Sequence, residues 1–535
     1  MDDIAKNDVS KVEDAETSSA TAQQPKVQLP PSLRDLSTEE REKLMVKVKR
    51  KIDLRLLPMM LLMYIMNYLD RNNIAAAKIA GMSDDLGLKG NQYQTALSIL
   101  FVGYLLMQVP SNLMLNKLGK PAIYLPACMV VWGIISTCTG AVQSFGGLVA
   151  CRFVLGFVEA AYFPGCLYHL SAWYSRKELV LRTAILYSGS LLSGAFSGLI
   201  AAGITDNMAG VRGLGAWRWL FIIEGAITIF LALIAFFIMP NFPRTTTWLS
   251  DQERALAIWR LQEDIGEDDW VNSQEQTFFH GFKLAVKDPK AWLLLATIYG
   301  FTSSGTVTTL FPSVVEGLGY GKVATLLLTV PPYVSHNTPL PPHHKKRVKT
   351  HHKRHQVIGV IAILINAWHA DRTRERYLHV ALPPLLAVAA FVIAAATTAF
   401  GPRYFAMCLM IGANYSGYVV ALAWISNTLP RPPAKRAAAL AGINALSNVC
   451  QIYSPYMYQD SYAPRYVVPM IVNAITSLWA AFFATVLRIV LVRLNKKIEA
   501  GISLLEQGSD EERRRAIEEH GLPGEAVDKG FRFLV

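Results

Sequence analysis

Apolar runs of about twenty residues recur along the whole chain, and that is the length an α-helix needs to cross the roughly 30 Å hydrocarbon core of a bilayer. Twelve can be counted, at about 54–77, 92–115, 121–142, 145–171, 182–205, 218–240, 290–312, 323–368 (interrupted), 378–398, 403–426, 437–459 and 467–490. The runs are continuous rather than alternating, which excludes a closed β-barrel. Only 17% of residues are charged, against about a quarter in soluble domains. The sequence therefore reads as an all-α membrane protein with twelve transmembrane helices. Its six cysteines all fall inside these runs, with neither disulfide nor metal spacing.

Lys and Arg concentrate on one side of the runs. With the N-terminus inside, the inner loops hold Lys117 and Lys120, Arg176, Lys177 and Arg182, Lys283, Lys287 and Lys290, Arg372, Arg374 and Arg376, Arg431, Lys435 and Arg436, and Arg493, Lys496 and Lys497. The outer loops are sparser, so both termini are expected in the cytoplasm. Residues 1–50 are expected to be largely disordered. A polar segment at 241–289 divides the runs six and six, giving halves at 51–240 and 290–492 and a tail at 493–535. Within the segment, Ser250 followed by Glu253 forms a capping box before Ala255-Leu256-Ala257-Ile258-Trp259, an amphipathic helix on the inner face. Six plus six with a long inner loop is the layout of transporters whose halves are pseudo-repeats around a midplane site.

Ionisable residues interrupt the apolar runs. Asp70 and Arg71 end the first, and Arg152 and Glu159 lie in the fourth. Charge against hydrocarbon is costly unless it faces a polar cavity, so such groups mark a functional site. Arg152 and Glu159 are two helical turns apart and share a face. Gly156 between them lowers the wall for a substrate or for span 1. The expected pairing is Asp70 with Arg152, leaving Arg71 to bind a carboxylate bidentately, with Glu159 desolvated and able to carry a coupling proton. A purely structural charge network is the competing reading. Tyr68, Tyr104, Gln108 and Tyr162 are candidate lining residues of the N-half, and Asn444, Ser447 and Asn448 of the C-half. Glu224 beside Arg218 reads as a structural pair, and His169 as a helix cap. No phosphate-cradling loop, metal set or catalytic triad stands out, so neither an enzyme nor ATP-driven transport is expected, and no cofactor.

Three sets of motifs carry a family resemblance. Ala370-Asp371-Arg372-Thr373-Arg374-Glu375-Arg376 resembles the Asp-Arg-x-x-Arg/Lys loop of the major facilitator superfamily, while its N-half counterpart Asn116-Lys117-Leu118-Gly119-Lys120 keeps Gly119 but has Asn for Asp. Tyr68-Leu69-Asp70-Arg71-Asn72-Asn73 and Arg152 to Gly165 resemble the first and fourth spans of the anion:cation symporter family. Trp217 to Gly225, and Asn444 to Asn448 with Tyr453-x-Pro455-Tyr456, are similar to its fungal branch of allantoate, nicotinate, pantothenate and biotin permeases. The resemblance implies a major facilitator fold and the same site assignments, with Gly119, Asp371, Arg372 and Arg376 in gating loops. It also implies proton-coupled uptake of a small organic carboxylate, from the fungal plasma membrane. Its partners would be the anion, protons and the bilayer, with no nucleic acid, and the protein would be a monomer. An organellar exporter of the same anions, or a non-transporting nutrient sensor, are the alternatives; an intact set of Asp70, Arg71, Arg152 and Glu159 favours transport.

Span 8 is broken by Ser335 to His355, which holds six of the eleven His and +6 of the formal +12 net charge. Such a segment cannot sit in hydrocarbon. Deleting Val334–Gln356, a whole number of codons, joins Tyr333 to Val357 in one uninterrupted span. Val-Ser can be encoded GTA-AGT, a splice donor, and Gln356 by CAG, an acceptor end, so the segment reads as a retained intron in the gene model. A His-rich metal loop (His343, His344, His351, His352), a nuclear-localisation-like run and a regulatory loop are the alternatives.

Overall fold

The computed structural model describes residues 29–265, 280–310, 358–430, 432–458, 465–499 and 532–535. The segment 334–356 and the first part of span 8 lie outside these residues. The described secondary structure is entirely helical, and nine helices among the described residues are long and apolar enough to cross a membrane.

The first half comprises α1 (Thr38–Ile79), α2 (Gln92–Leu118), α3 (Pro121–Thr139), α4 (Phe145–Glu159) continuing through a tight turn into α5 (Tyr162–Trp173), α6 (Leu179–Asn207) and α7 (Ala216–Ile238). A linker carries α8 (Asp251–Ile265) and α9 (His280–Lys287). The second half has α10 (Pro289–Ser304), α11 (Ile358–Thr373), α12 (Tyr377–Ala396), α13 (Phe400–Thr428), α14 (Pro433–Ser447) with α15 (Cys450–Met457), and α16 (Val467–Glu499). Here α10, α11 and the broken α14–α15 stand where the remaining three spans are expected.

Helix α1 starts well before its apolar run. Ser37 and Glu40 form a capping box, with Glu40 N–H on Ser37 Oγ at 3.3 Å and Ser37 N–H on Glu40 Oε2 at 2.9 Å. Residues 38–50, expected with the disordered terminus, are therefore helical. They are held because Val48 is buried, Lys49 pairs with Glu178 and Lys51 with Glu253.

The box expected at Ser250 and Glu253 is also formed, with bonds of 3.3 and 3.2 Å. Burial works to raise the Glu253 carboxyl, but Lys51 and the Ser250 N–H hold it below the ordinary carboxylate value. Buried Leu256 and Ala257, with Arg260 bonded to the Trp173 carbonyl and to Glu178 (3.3 Å), fix α8 across the ends of α1 and α5.

Within the first half α7 packs on α3 and α1, α2 on α4, and α1 on α6; in the second, α12 packs on α13 and α16, and α10 on α16. The halves meet along two seams, α2 against α14 and α15, and α6 against α11 and α13. The α2–α4 packing depends on Gly156. A Cβ there would lie 1.9 Å from the Leu100 carbonyl oxygen. The close approach that this glycine permits is thus to span 2, not to span 1 or to a substrate.

Candidate functional site

Between the halves lies a cavity of about 190 Å³, walled by α1, α2, α4 and α6 on one side and by α10, α13 and the α14–α15 turn on the other. Two guanidinium groups line it, Arg71 and Arg152. Arg71 gives Nε and Nη2 to one oxygen of Glu159, Oε2, at 3.1 and 3.0 Å. The other oxygen, Oε1, is buried without a hydrogen-bond partner among the described residues. Three rings surround the same guanidinium: Tyr104, Tyr68 and Phe101, with centroids at 4.6, 5.2 and 5.8 Å. Arg152 gives Nη2 to the Arg71 carbonyl at 3.0 Å, while its Nε and Nη1 are buried with no hydrogen-bond partner among the described residues.

The expected Asp70–Arg152 ion pair is not formed. Asp70 is fully buried and accepts from Ser136 Oγ at 2.6 Å and Thr228 Oγ1 at 2.7 Å, hydroxyls of α3 and α7. Consecutive helical residues point about 100° apart, so Asp70 turns to α3 and α7 while Arg71 turns to α4 and the cavity. Arg71 is therefore not the free cation that the sequence reading expects; Glu159 already occupies it. Of the two cavity guanidinium groups, the one with buried nitrogens that have no hydrogen-bond partner among the described residues is Arg152.

The neutral candidates separate. Tyr68 and Asn448 line the cavity. Tyr104 accepts a 3.4 Å hydrogen bond from Asn444 Nδ2, joining the halves behind Arg71. Tyr162 does not reach the cavity; its hydroxyl donates to the Met60 carbonyl at 2.8 Å and its ring packs on Tyr64 and Trp132. Ser447 is buried and returns its hydroxyl to the Asn444 carbonyl. Gln108 is buried, its amide atoms have no hydrogen-bond partner among the described residues, and it is not among the residues lining the cavity.

Glu224 does not pair with Arg218, which instead donates to the Gly140 and Val142 carbonyls at 2.9 and 2.7 Å. His169 is not a cap either; it is buried and stacked on Phe242.

Sequence reasoning missed the aromatic wall opposite Arg71. Tyr187 of α6 packs on Tyr415 and Tyr418 of α13, with centroids at 5.5 and 5.2 Å, and all three line the cavity with Phe301 and Gln451. Neutral residues in an apolar run carry no charge signal. The small residues Ser190, Gly194, Ser197 and Gly198 of α6 also line it. Their helical spacing is the one feature that marks this face in the sequence.

At the α8 end, the Asp371 loop clasps both halves. Asp371 accepts from Arg376 Nη2 at 2.9 Å and from the Leu181 backbone N–H, at the start of α6, at 2.8 Å. Arg376 is buried and also donates to the Ala370 and Arg176 carbonyls. Arg372 lies over the Trp368 ring at 5.2 Å. In the other half, Gly119 terminates α2 in the left-handed conformation, φ +63°, with its N–H on Leu115. The segment Arg532–Val535 docks on this clasp. The Arg376 N–H bonds the Val535 carbonyl at 2.7 Å, and Trp424 Nε1 bonds that of Leu534 at 2.9 Å.

Comparison with known proteins agrees with this architecture. The chain matches the Major Facilitator Superfamily over residues 60–335. It is 33% identical to the MFS-type transporter efuF of Hormonema carpetanum, over 80% of this chain and 81% of that one. It is 31% identical to the major facilitator-type transporter hxnP of Emericella nidulans, over 85% and 88%. Among solved structures, a bacterial homolog of the human lysosomal transporter Spinster, inward-facing and unoccupied, superposes with TM-score 0.55 at 15% identity, covering 86% of this chain and 99% of that one. The proton:xylose symporter XylE, bound to 6-bromo-6-deoxy-D-glucose, gives 0.55 at 12%, covering 82% and 95%. The protein is a member of the Major Facilitator Superfamily, a multi-pass membrane transporter.

Proposed function

We propose that the protein is a proton-coupled symporter of a small organic carboxylate, of the anion:cation symporter family and its allantoate, nicotinate and pantothenate branch. Its site would open alternately to the two sides of the plasma membrane, with both termini and α8 in the cytoplasm. One observation carries this reading: two guanidinium groups face a single cavity, one with two unpartnered nitrogens and the other held by a carboxylate through one oxygen only.

A cavity of about 190 Å³ is below the roughly 300–1,000 Å³ typical of drug-sized sites, in keeping with a small solute. An incoming carboxylate takes an unpartnered nitrogen of Arg152 and competes with Glu159 for Arg71. Protonation of Glu159 removes its charge and releases Arg71 to the substrate, so proton and anion bind together. The rings around Arg71 hold its plane in place when Glu159 lets go. Crossing is then controlled at the Asp371 clasp, where parting of the halves must break the bond to Leu181. Uptake assays of nicotinate, pantothenate, biotin, allantoate and sugar acids in a permease-deficient strain test the reading. Accumulation of at least one, stimulated by an acidic exterior, is expected. Uptake of none, with protein at the cell surface, would favour a sensor or an organellar exporter.

A further inference from the structure

Three carboxylates and two guanidinium groups form a chain of electrostatic contacts where α1, α3, α4 and α7 meet: Arg71 and Arg152 with Glu159, Arg152 and Glu159 with Asp70, and Asp70 with Glu224. Four of them have an assigned partner. Glu159 holds Arg71, Arg152 holds the Arg71 carbonyl, and Asp70 has a hydroxyl on each oxygen. Glu224 has none. It is fully buried on α7, and neither carboxyl oxygen has a hydrogen-bond partner among the described residues. Asn73 of α1 faces it and is a neutral group able to donate to it, although its amide nitrogen and oxygen complete no hydrogen bond among the described residues.

Among the described residues, the surroundings supply no cation. From α1 the titratable group facing Glu224 is Asp70, an acid. Helix α3 contains no charged residue, and its Ser136 hydroxyl is given to Asp70. On α6 the charged residues are Arg182 and Asp206, close to its two ends, and Arg182 is bound to Asp53 at 2.9 Å. On α7 itself Arg218 is turned away to the Gly140 and Val142 carbonyls, and Thr228, one turn beyond Glu224, donates to Asp70.

An ionised carboxylate buried with no cation and no completed hydrogen bond is strongly disfavoured, and such a group takes up a proton instead. The charge count agrees. Two guanidinium groups and three carboxylates balance when a single carboxyl is neutral, and Glu224 is the one without a partner to lose. We propose that Glu224 holds a proton and, with Asp70 across Thr228, forms a proton-binding site on the face of α1 away from the substrate cavity. This deepens the symport reading by adding a second acid to Glu159, but the protonation itself does not depend on which solute is carried.

Infrared difference spectra of the purified full-length protein test it directly. At neutral pH the wild type should show a carboxylic C=O band that Glu224→Gln lacks. Asp70→Asn, by removing the neighbouring negative charge, should make that band vanish at a lower pH than in the wild type. An identical band in wild type and Glu224→Gln overturns the proposal. Should Glu224→Gln fail to fold, Glu159→Gln grown with ¹³C-glutamate gives the same decision: a band that shifts with the label supports Glu224, and none shifting overturns it. A wild type that shows the Glu224 band yet takes up no carboxylate under a pH gradient would overturn the symport reading alone.

Discussion

Replacing Arg71 by Lys keeps the charge and removes a geometry. The guanidinium presents Nε and Nη2 to Glu159 at 3.1 and 3.0 Å while its plane lies 4.6 Å from the Tyr104 centroid. A planar fork of five donors holds Glu159 with two of them and, once Glu159 is protonated, can turn the same pair to a substrate carboxylate. An ammonium is a point charge on a flexible stem and, drawn to Glu159, leaves the substrate without its partner. The loss is about one hydrogen bond to a charged group, about 1.5–3 kcal/mol, which is about a 10- to 150-fold weakening of binding at 1.4 kcal/mol per decade. Attraction to the rings survives in part, since an ammonium also binds aromatic faces. The assay is initial-rate uptake against substrate concentration, normalised to protein at the cell surface. A KM within twofold of the wild type would remove Arg71 from the binding site.

Other predictions concern the scaffold. Gly156→Ala should lower the melting temperature of the purified protein, because its Cβ would stand 1.9 Å from the Leu100 carbonyl oxygen and α2 must move at a cost of about 1–3 kcal/mol or more; an unchanged melting curve would refute the packing. Asp371→Asn weakens a charge-assisted contact to Arg376 and the bond to Leu181. Hydrogen exchange at the Leu181 amide should then accelerate about tenfold or more for a loss of about 1.5 kcal/mol, and unaltered exchange would show that the clasp does not hold the halves. Deleting Val334–Gln356 should raise the amount of folded protein at the cell surface, whereas equal trafficking and transport by the full-length chain would make the segment a tolerated loop.

The charged positions were legible in the sequence because charge inside an apolar run is rare, and Arg71, Arg152 and Glu159 do meet at the junction of α1 and α4, while Asp70 is turned to α3 and α7. Their pairing was not. Spacing places two residues on one face of their own helix but says nothing of how that helix is rotated against its neighbours, and a rotation of one residue exchanges Asp70 for Arg71. The Ser250 box could be read because it is local, two bonds within four residues. Gly156 stood out as a point of close approach, yet the identity of its partner, Leu100 of α2, depends on the tertiary packing. Tyr187, Tyr415 and Tyr418 could not be told from packing aromatics, since their role rests on three rings from α6 and α13 meeting across the seam.

The measurement closest to the central claim is transport by Glu159→Gln. Gln copies the protonated acid in size and hydrogen bonding but has no proton to release. In proteoliposomes, accumulation of a labelled carboxylate driven by an acidic exterior should be lost, while exchange of labelled for unlabelled substrate across the same membrane continues, because Arg71 is free to bind the anion. Accumulation retained at the wild-type rate would place the coupling proton elsewhere and contradict the account. Loss of both activities in a normally folded protein would also contradict it, marking Glu159 as a structural partner of Arg71.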